Sequence, residues 1–309
     1  MKKIGIWVPF RKAMTSVSYE QPGMLLQPVR DDLVAHLKKE FEVEEVEDFR
    51  RGTVVSGKAV VDGIEFGKTD AFVWFGEIGK DERRLHNLEL LKAIEKETCV
   101  INCTHGYETA MDKYLTSSAL VKEGIQVPRF ALLTRENAEE VVEKVSDWKC
   151  ALLKPRLGSY GIGIIKIDDV SSLPDYADYF PHEVHYIEEF IPNNPAEWIG
   201  INIIGGEHAY SYRKGPESFH GGWKVHDRKS VGGKMSLAQP TEAQLEIAKK
   251  IAESLGMAWC GVDIITDAKG KNYVVDVNAF PGLYPEMFGQ AGVNGPEMMA
   301  RAIMEKTGD

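Results

Sequence analysis

The segment Ala151-Leu152-Leu153-Lys154-Pro155-Arg156-Leu157-Gly158-Ser159-Tyr160-Gly161-Ile162-Gly163 constrains the fold more than any other stretch of the chain. An apolar run ends in a lysine and a proline, and Gly158, Gly161 and Gly163 lead back into a second apolar run ending at Ile167. Proline stops the first strand and glycine permits the turn, so the two runs read as strands joined by a flexible loop. Such a loop brings backbone N–H groups close to an anion, and Lys154 adds a point charge suited to phosphate. A plain glycine hairpin satisfies the same pattern.

A second pattern lies near the C-terminus. Gly261-Val262-Asp263-Ile264-Ile265 and Val274-Val275-Asp276-Val277-Asn278-Ala279-Phe280-Pro281-Gly282 read as two strands. Asp276 and Asn278 are two apart, so both side chains point to one face, and Asp263 on the adjacent strand can join them. Three hard oxygen donors of this kind suit Mg²⁺ or Mn²⁺ completed by water and phosphate oxygens. The blander reading is that Asp and Asn close a strand before the Pro281-Gly282 turn.

With 309 residues the chain has room for two or three compact units. Residues 1–103 read as a small α/β unit: a strand over 3–8, a helix carrying Val29, Leu33, Val34 and Leu37, a strand over 70–75, a helix over 82–97 and a strand over 100–102. Asp62-Gly63 between short apolar runs predicts a hairpin. The loop from Pro9 to Pro28, with Arg11, Lys12, Ser16, Ser18 and Tyr19, is a substrate-site candidate beyond a strand end, or a plain surface loop. Thr109-x-x-Asp112 predicts a cap opening a helix to Lys122. Residues 104–190 then read as strand, helix, strand, glycine loop and strands. In 191–309, strands over 198–204 and 207–212 precede a polar loop over 213–239. A capped helix from Thr241, strands over 259–266 and 272–278, and a last helix opened by Pro296 complete the chain.

The net charge of −10 argues against a broad nucleic-acid or anionic-membrane surface. Cys99, Cys103, Cys150 and Cys260 form no CxxC pair and read as reduced core residues. No run approaches the ~20 apolar residues of a membrane span, and the expected compartment is the cytoplasm. Gly52-x-x-x-x-Gly57-Lys58 fails as a phosphate loop because Ala59 lacks the hydroxyl that would hold magnesium. His182 and His185 are three apart near a strand and read as surface residues rather than a zinc pair.

Taken in order, the 154–163 segment, Tyr186-Ile187-Glu188-Glu189-Phe190-Ile191, Gly261-Val262-Asp263 and Asp276-Val277-Asn278-Ala279-Phe280-Pro281-Gly282 resemble the ATP-grasp superfamily. Asn102, Met111-Asp112-Lys113 and Gly124-Ile125-Gln126-Val127-Pro128 narrow the resemblance to the branch that includes the ribosomal-protein S6 glutamate ligase. It implies a small N-terminal α/β domain followed by two α+β subdomains clasping ATP. It also implies that Lys113 and Lys154 contact phosphates, with Lys154 and Arg213 acting at the reacting phosphate. The loop residues Gly158, Ser159, Tyr160, Gly161 and Gly163 would close over ATP. Glu188, Glu189, Phe190 and Ile191 would form the hinge beside adenine, and Asp263, Asp276 and Asn278 would bind Mg²⁺ or Mn²⁺.

Two departures stand out. Asp276 occupies a position where the family often has Glu, and the usual Asp-x-Arg after the hinge is replaced by Trp198-Ile199-Gly200. The ribose contact then either passes to Glu197 or is lost, and the substrate carboxylate falls to others such as Arg156, Lys224, Arg228 or Lys229. The implied activity is amide formation: an acyl phosphate made from ATP and attacked by an amino acid such as glutamate, the acceptor being a small-molecule or peptide carboxylate. A phosphotransferase of the same fold is the alternative, and a scaffold without turnover is a third reading. No nucleic-acid or membrane partner is expected, and a homo-oligomer is compatible with the sequence.

Overall fold

The computed structural model describes residues 1–11, 25–61, 63–76, 78–79, 81–158, 161–221, 223–225 and 235–308. Its first sheet is parallel, in the order Phe41–Glu45, Lys2–Trp7, Ala71–Trp74, Cys99–Ile101. Ala71–Trp74 is buried along its whole length, as a strand covered on both faces must be. The helix Gln27–Glu40 starts with Pro28 in its first turn and buries Val29, Leu33, Val34 and Leu37. Lys38 and Lys39 lie in its last turn, where cations meet the carbonyl end of the helix dipole. Its apolar stripe shares a core with Met298, Met299, Ala302 and Ile303 of the helix Gly295–Lys306, so the C-terminus returns to pack on the first unit.

The second sheet is antiparallel, in the order Ile165–Ile167, Ala151–Lys154, His185–Glu189, Phe130–Leu133. Helices Ala138–Lys144 and Leu173–Tyr179 cover one face through a core that includes Leu133, Val141, Leu153, Leu173 and Ile187. The third sheet, also antiparallel, runs Met235–Leu237, Glu207–Lys214, Ile199–Ile204, Trp259–Thr266, Asn272–Asn278. Helix Glu242–Ser254 packs Ala248, Ile251 and Ala252 against its Ile201, Ile203 and Val262. Thr241 and Gln244 form the expected capping box, worth about 1 kcal/mol.

Asn102 joins the first sheet to the third. Its amide nitrogen donates to the carbonyls of Trp259 (2.8 Å) and Ala279 (3.0 Å), and its oxygen accepts from the N–H groups of Ala258 (2.7 Å) and Trp259 (3.2 Å). The Trp74 indole donates to the Asn102 carbonyl.

Several expectations are corrected. The two-stranded ladder near residue 60 is Thr53–Val55 with Lys58–Val60, turning at Ser56-Gly57, where both φ angles are positive. Asp62 lies outside the described residues, and the flanking Val61 and Ile64 form only a single bridge. The Gly52–Lys58 decoy is therefore part of a hairpin. Asp112 caps the helix Lys113–Lys122, taking the N–H groups of Tyr114 and Leu115, whereas Thr109 lies inside a separate helix, Thr104–Met111. Helices Leu173–Tyr179 and Pro285–Ala291 add to the elements expected, and each opens with a proline and an acidic residue in its first turn, a start signal the sequence reading passed over. The 213–239 segment is not wholly a loop: Arg213 and Lys214 extend one strand, Phe219–His220 pairs with Lys224–Val225, and Met235–Leu237 is a sheet edge. His185 is buried rather than exposed, against Phe180, because it opens an inner strand. Among the cysteines only Cys260 is fully buried. Residues 12–24 of the Pro9–Pro28 loop, with Lys12, Ser16, Ser18 and Tyr19, lie outside the described residues. Among the described residues no helix is long and apolar enough to cross a membrane.

Candidate active site

Strand register decides which side chains enter the cleft. Leu152 pairs with both Lys166 and Glu188, and Lys154 pairs with Tyr186, so these five residues share one face of the second sheet. Leu153 and Ile187 alternate to the other face and fill the core. On the open face, Lys154 Nζ lies 2.5 Å from Glu188 Oε1, with the side chains 6% and 3% exposed. The Tyr186 hydroxyl is 2.8 Å from Ser117 Oγ. Burial and the neighbouring Glu188 carboxylate push the Tyr186 phenol well above its usual range, so it remains protonated.

The third sheet presents the acidic set. Asp263 stands opposite Asp276, and Asn278 stands opposite Gly261, which puts all three oxygen-bearing side chains on one face. Lys113, in the first turn of its helix, links this set to the glycine loop. Its Nζ donates to the Gly158 carbonyl at 3.0 Å and to Asp276 Oδ1 at 3.3 Å. A small cavity between the sheets is lined by Lys113, Ser117, Tyr186, Val275 and Asp276. Among the described residues no cluster of three or more His, Cys, Asp or Glu side chains is arranged for a metal. The set is two carboxylates and one amide, with the Asp276 side chain 27% exposed. Such a donor set fits a hard divalent cation that keeps water and phosphate oxygens in its shell.

The base of the glycine loop is tied down. The Lys113 N–H donates to the Arg156 carbonyl at 3.1 Å, and Arg156 Nε donates to Asp112 Oδ2 at 2.7 Å. Gly161 and Gly163 both have positive φ, and a Cβ at Gly163 would lie 2.7 Å from Pro155 Cγ, so a side chain there collides with the start of the loop. Ser159 and Tyr160 lie outside the described residues, as do Arg228 and Lys229.

Not every expected residue converges here. Glu189 points away from the cleft face and is held in a bidentate pair by Arg129 (2.9 and 3.1 Å), leaving Glu188 as the hinge carboxylate that faces the cleft. The N–H groups of Glu189 and Phe190 donate to the carbonyls of Arg129 and Cys150. Ile191 packs in an apolar cluster with Trp198 and Ile265. Glu197 is exposed and accepts from Asn194 Nδ2 at 3.1 Å. Arg213 does not join the acidic set. Gly200 pairs with both Tyr212 and Asp263, so Tyr212 shares the Asp263 face and Arg213, one residue on, points to the other. The cation that does share that face is Lys214, whose Nζ lies 4.6 Å above the Trp198 ring. Lys166 likewise enters the cleft face of the second sheet, 4.8 Å above the Phe190 ring. Alternation along each strand was visible in the sequence, but which alternate faced the cleft was not.

Comparison with known proteins agrees with this geometry. A family description, RimK-like ATP-grasp domain, matches residues 110–303. The chain is 24% identical over 210 residues to the tetrahydromethanopterin:alpha-L-glutamate ligase of Methanococcus maripaludis, covering 66% of this chain and 69% of that one. It is 28% identical over 196 residues to the alpha-aminoadipate–LysW ligase LysX of Saccharolobus solfataricus, covering 61% and 66%. The matched stretch thus spans about two thirds of such relatives. Among solved structures, D-cycloserine synthetase DcsG superposes with a TM-score of 0.66 at 14% identity over 98% of this chain and 99% of that one. The ATP-grasp ligase PsnB, complexed with minimal precursor, Mg and ADP, gives 0.66 at 16% identity over 99% and 98%. With a family match over residues 110–303, which takes in both of the larger antiparallel sheets and the Lys154–Glu188 and Lys113–Asp276 pairs, the chain belongs to the RimK-like ATP-grasp family.

Proposed function

We propose that the chain is an ATP-dependent, ADP-forming carboxylate–amine ligase that joins an amino acid, with glutamate the first candidate, to a small-molecule or peptide carboxylate. The observation that carries this reading is Lys113, whose ammonium bridges the glycine-loop carbonyl of Gly158 and the Asp276 carboxylate. The glycine loop, a lysine ammonium and the acidic set thereby meet at one point. The relatives named as glutamate ligase and LysX ligase support the amide-forming class over the phosphotransferase alternative.

In this reading Lys113 and Lys154 bind the anionic oxygens of ATP, and Glu188 orients Lys154. Phe190 and Ile191 border the base. Mg²⁺ or Mn²⁺ would be held by Asp263, Asp276 and Asn278, and when bound it offsets negative charge on the phosphates. A carboxylate oxygen attacks the γ-phosphorus and ADP leaves. The amine then attacks the acyl carbon, loses a proton, and expels phosphate carrying that oxygen. Catalysis here is positioning and charge neutralisation, with the glycine loop excluding water from the acyl phosphate. The chain would divide into an N-terminal unit 1–103 and two clasping subdomains 104–190 and 191–309, and ATP supply makes the cytoplasm its expected compartment. The test is product analysis with ATP, Mg²⁺, glutamate and a panel of carboxylates. ADP and phosphate formed in equal amounts with an amide support the proposal; ADP with a phosphorylated acceptor and no amide overturns it.

A further inference from the structure

Phe190 follows Glu188 by two residues and so belongs to the cleft side of the second sheet, at the end away from Tyr186. Two groups converge on it. Lys166 lies 4.8 Å above its ring, and the Trp223 indole meets it edge-on, with centroids 6.0 Å apart and planes at 88°. Trp223 belongs to neither flanking sheet. It sits in the short hairpin in which Phe219 pairs with Val225 and His220 with Lys224. That hairpin is clipped to the glycine loop, because Lys224 Nζ donates to the carbonyl of Ile164, where the loop re-enters its strand, at 3.0 Å. Burial pulls the Lys224 ammonium below its usual range, consistent with a side chain folded inward rather than waving in water. The hairpin therefore straps across the cleft, touching the hinge with its indole and the glycine loop with its lysine.

We propose that Trp223 is a nucleobase-contacting residue, closing the base end of the ATP site over Phe190 and coupling it through Lys224 to the glycine loop. The inference rests on the ATP-site reading above. Its physical basis is that an aromatic face desolvates a purine at low entropic cost, contributing about 1–3 kcal/mol per stacked base, or roughly five- to 150-fold in affinity.

The experiment uses intrinsic fluorescence and calorimetry on the full chain with MgADP, MgATP and inorganic tripolyphosphate. Of the six tryptophans, Trp7, Trp74, Trp148, Trp198 and Trp259 are at most 5% exposed, so Trp223, partly exposed, is the one positioned to report a ligand. The expected result is a nucleotide-dependent emission change that Trp223→Phe abolishes while retaining affinity. Trp223→Ala should weaken ADP and ATP about tenfold and leave tripolyphosphate unchanged, a split that a merely structural role would not produce. An emission response that survives Trp223→Phe, wild-type nucleotide affinity in Trp223→Ala, or equal weakening of tripolyphosphate overturns the proposal. If the wild-type chain binds no adenine nucleotide by calorimetry, the ATP-site reading fails with it, an outcome distinct from the failure of Trp223 alone.

Discussion

Lys154 Nζ and Glu188 Oε1 lie 2.5 Å apart, with both side chains almost wholly out of solvent. Taking two charges out of water is costly unless each neutralises the other, so this pair is a structural commitment as well as a candidate phosphate contact.

Lys154→Met therefore has two expected effects. Leaving Glu188 buried without its cation should cost about 3–5 kcal/mol of stability, and ATP binding should weaken as the phosphate-facing charge is lost. The double variant Lys154→Met/Glu188→Leu should recover most of the stability but none of the nucleotide affinity. Urea unfolding and calorimetry read the two separately. A single variant that melts and binds like wild type would show that neither role is real.

Asp276→Asn keeps the size of the side chain and its place beside Lys113 but removes the negative charge. Turnover should fall by roughly 10²–10³, the usual loss when one charge-stabilising group is removed from an active site. The far-ultraviolet circular dichroism should be unchanged, since the Asp276 side chain is still partly exposed and is not core. Asn278→Ala should lower turnover less, because a neutral ligand contributes less charge. Wild-type turnover in Asp276→Asn would remove Asp276 from the metal assignment.

Asn102 satisfies two carbonyls and two N–H groups of the third sheet's neighbourhood while fully buried. Asn102→Ala leaves those four groups without that partner, and at about 1–3 kcal/mol for each unsatisfied partner the expected loss is about 4 kcal/mol or more. Thermal unfolding checks this, and a variant within 1 kcal/mol of wild type by that measure would mean water replaces the amide without penalty.

The acyl-phosphate route predicts where an oxygen travels. With the acceptor carboxylate enriched in ¹⁸O, one labelled oxygen per turnover should appear in inorganic phosphate, detected by mass spectrometry, and ADP should accumulate. AMP with pyrophosphate, or unlabelled phosphate from an active reaction, would falsify the mechanism.

Elements whose signals are local were legible in the chain before any folding. The strands Trp259–Thr266 and Asn272–Asn278 and the capped helix from Thr241 fall where alternation and capping residues put them, because those patterns act within a few residues. Grouping Asp263, Asp276 and Asn278 on one face also followed from strand spacing and one assumed neighbour. Features that depend on partners distant in sequence emerge only from the folded packing. Adjacent residues on a strand point to opposite faces, and only pairing tells which face meets the cleft; hence Glu188 rather than Glu189, and Lys214 rather than Arg213, face it. The Lys113–Asp276 contact spans 163 positions and the Phe190–Trp223 contact joins a sheet to a hairpin, so neither leaves a local trace. Local chemistry chose the elements, and cross-strand register, set by burying one face of each sheet, chose which side chains share the site.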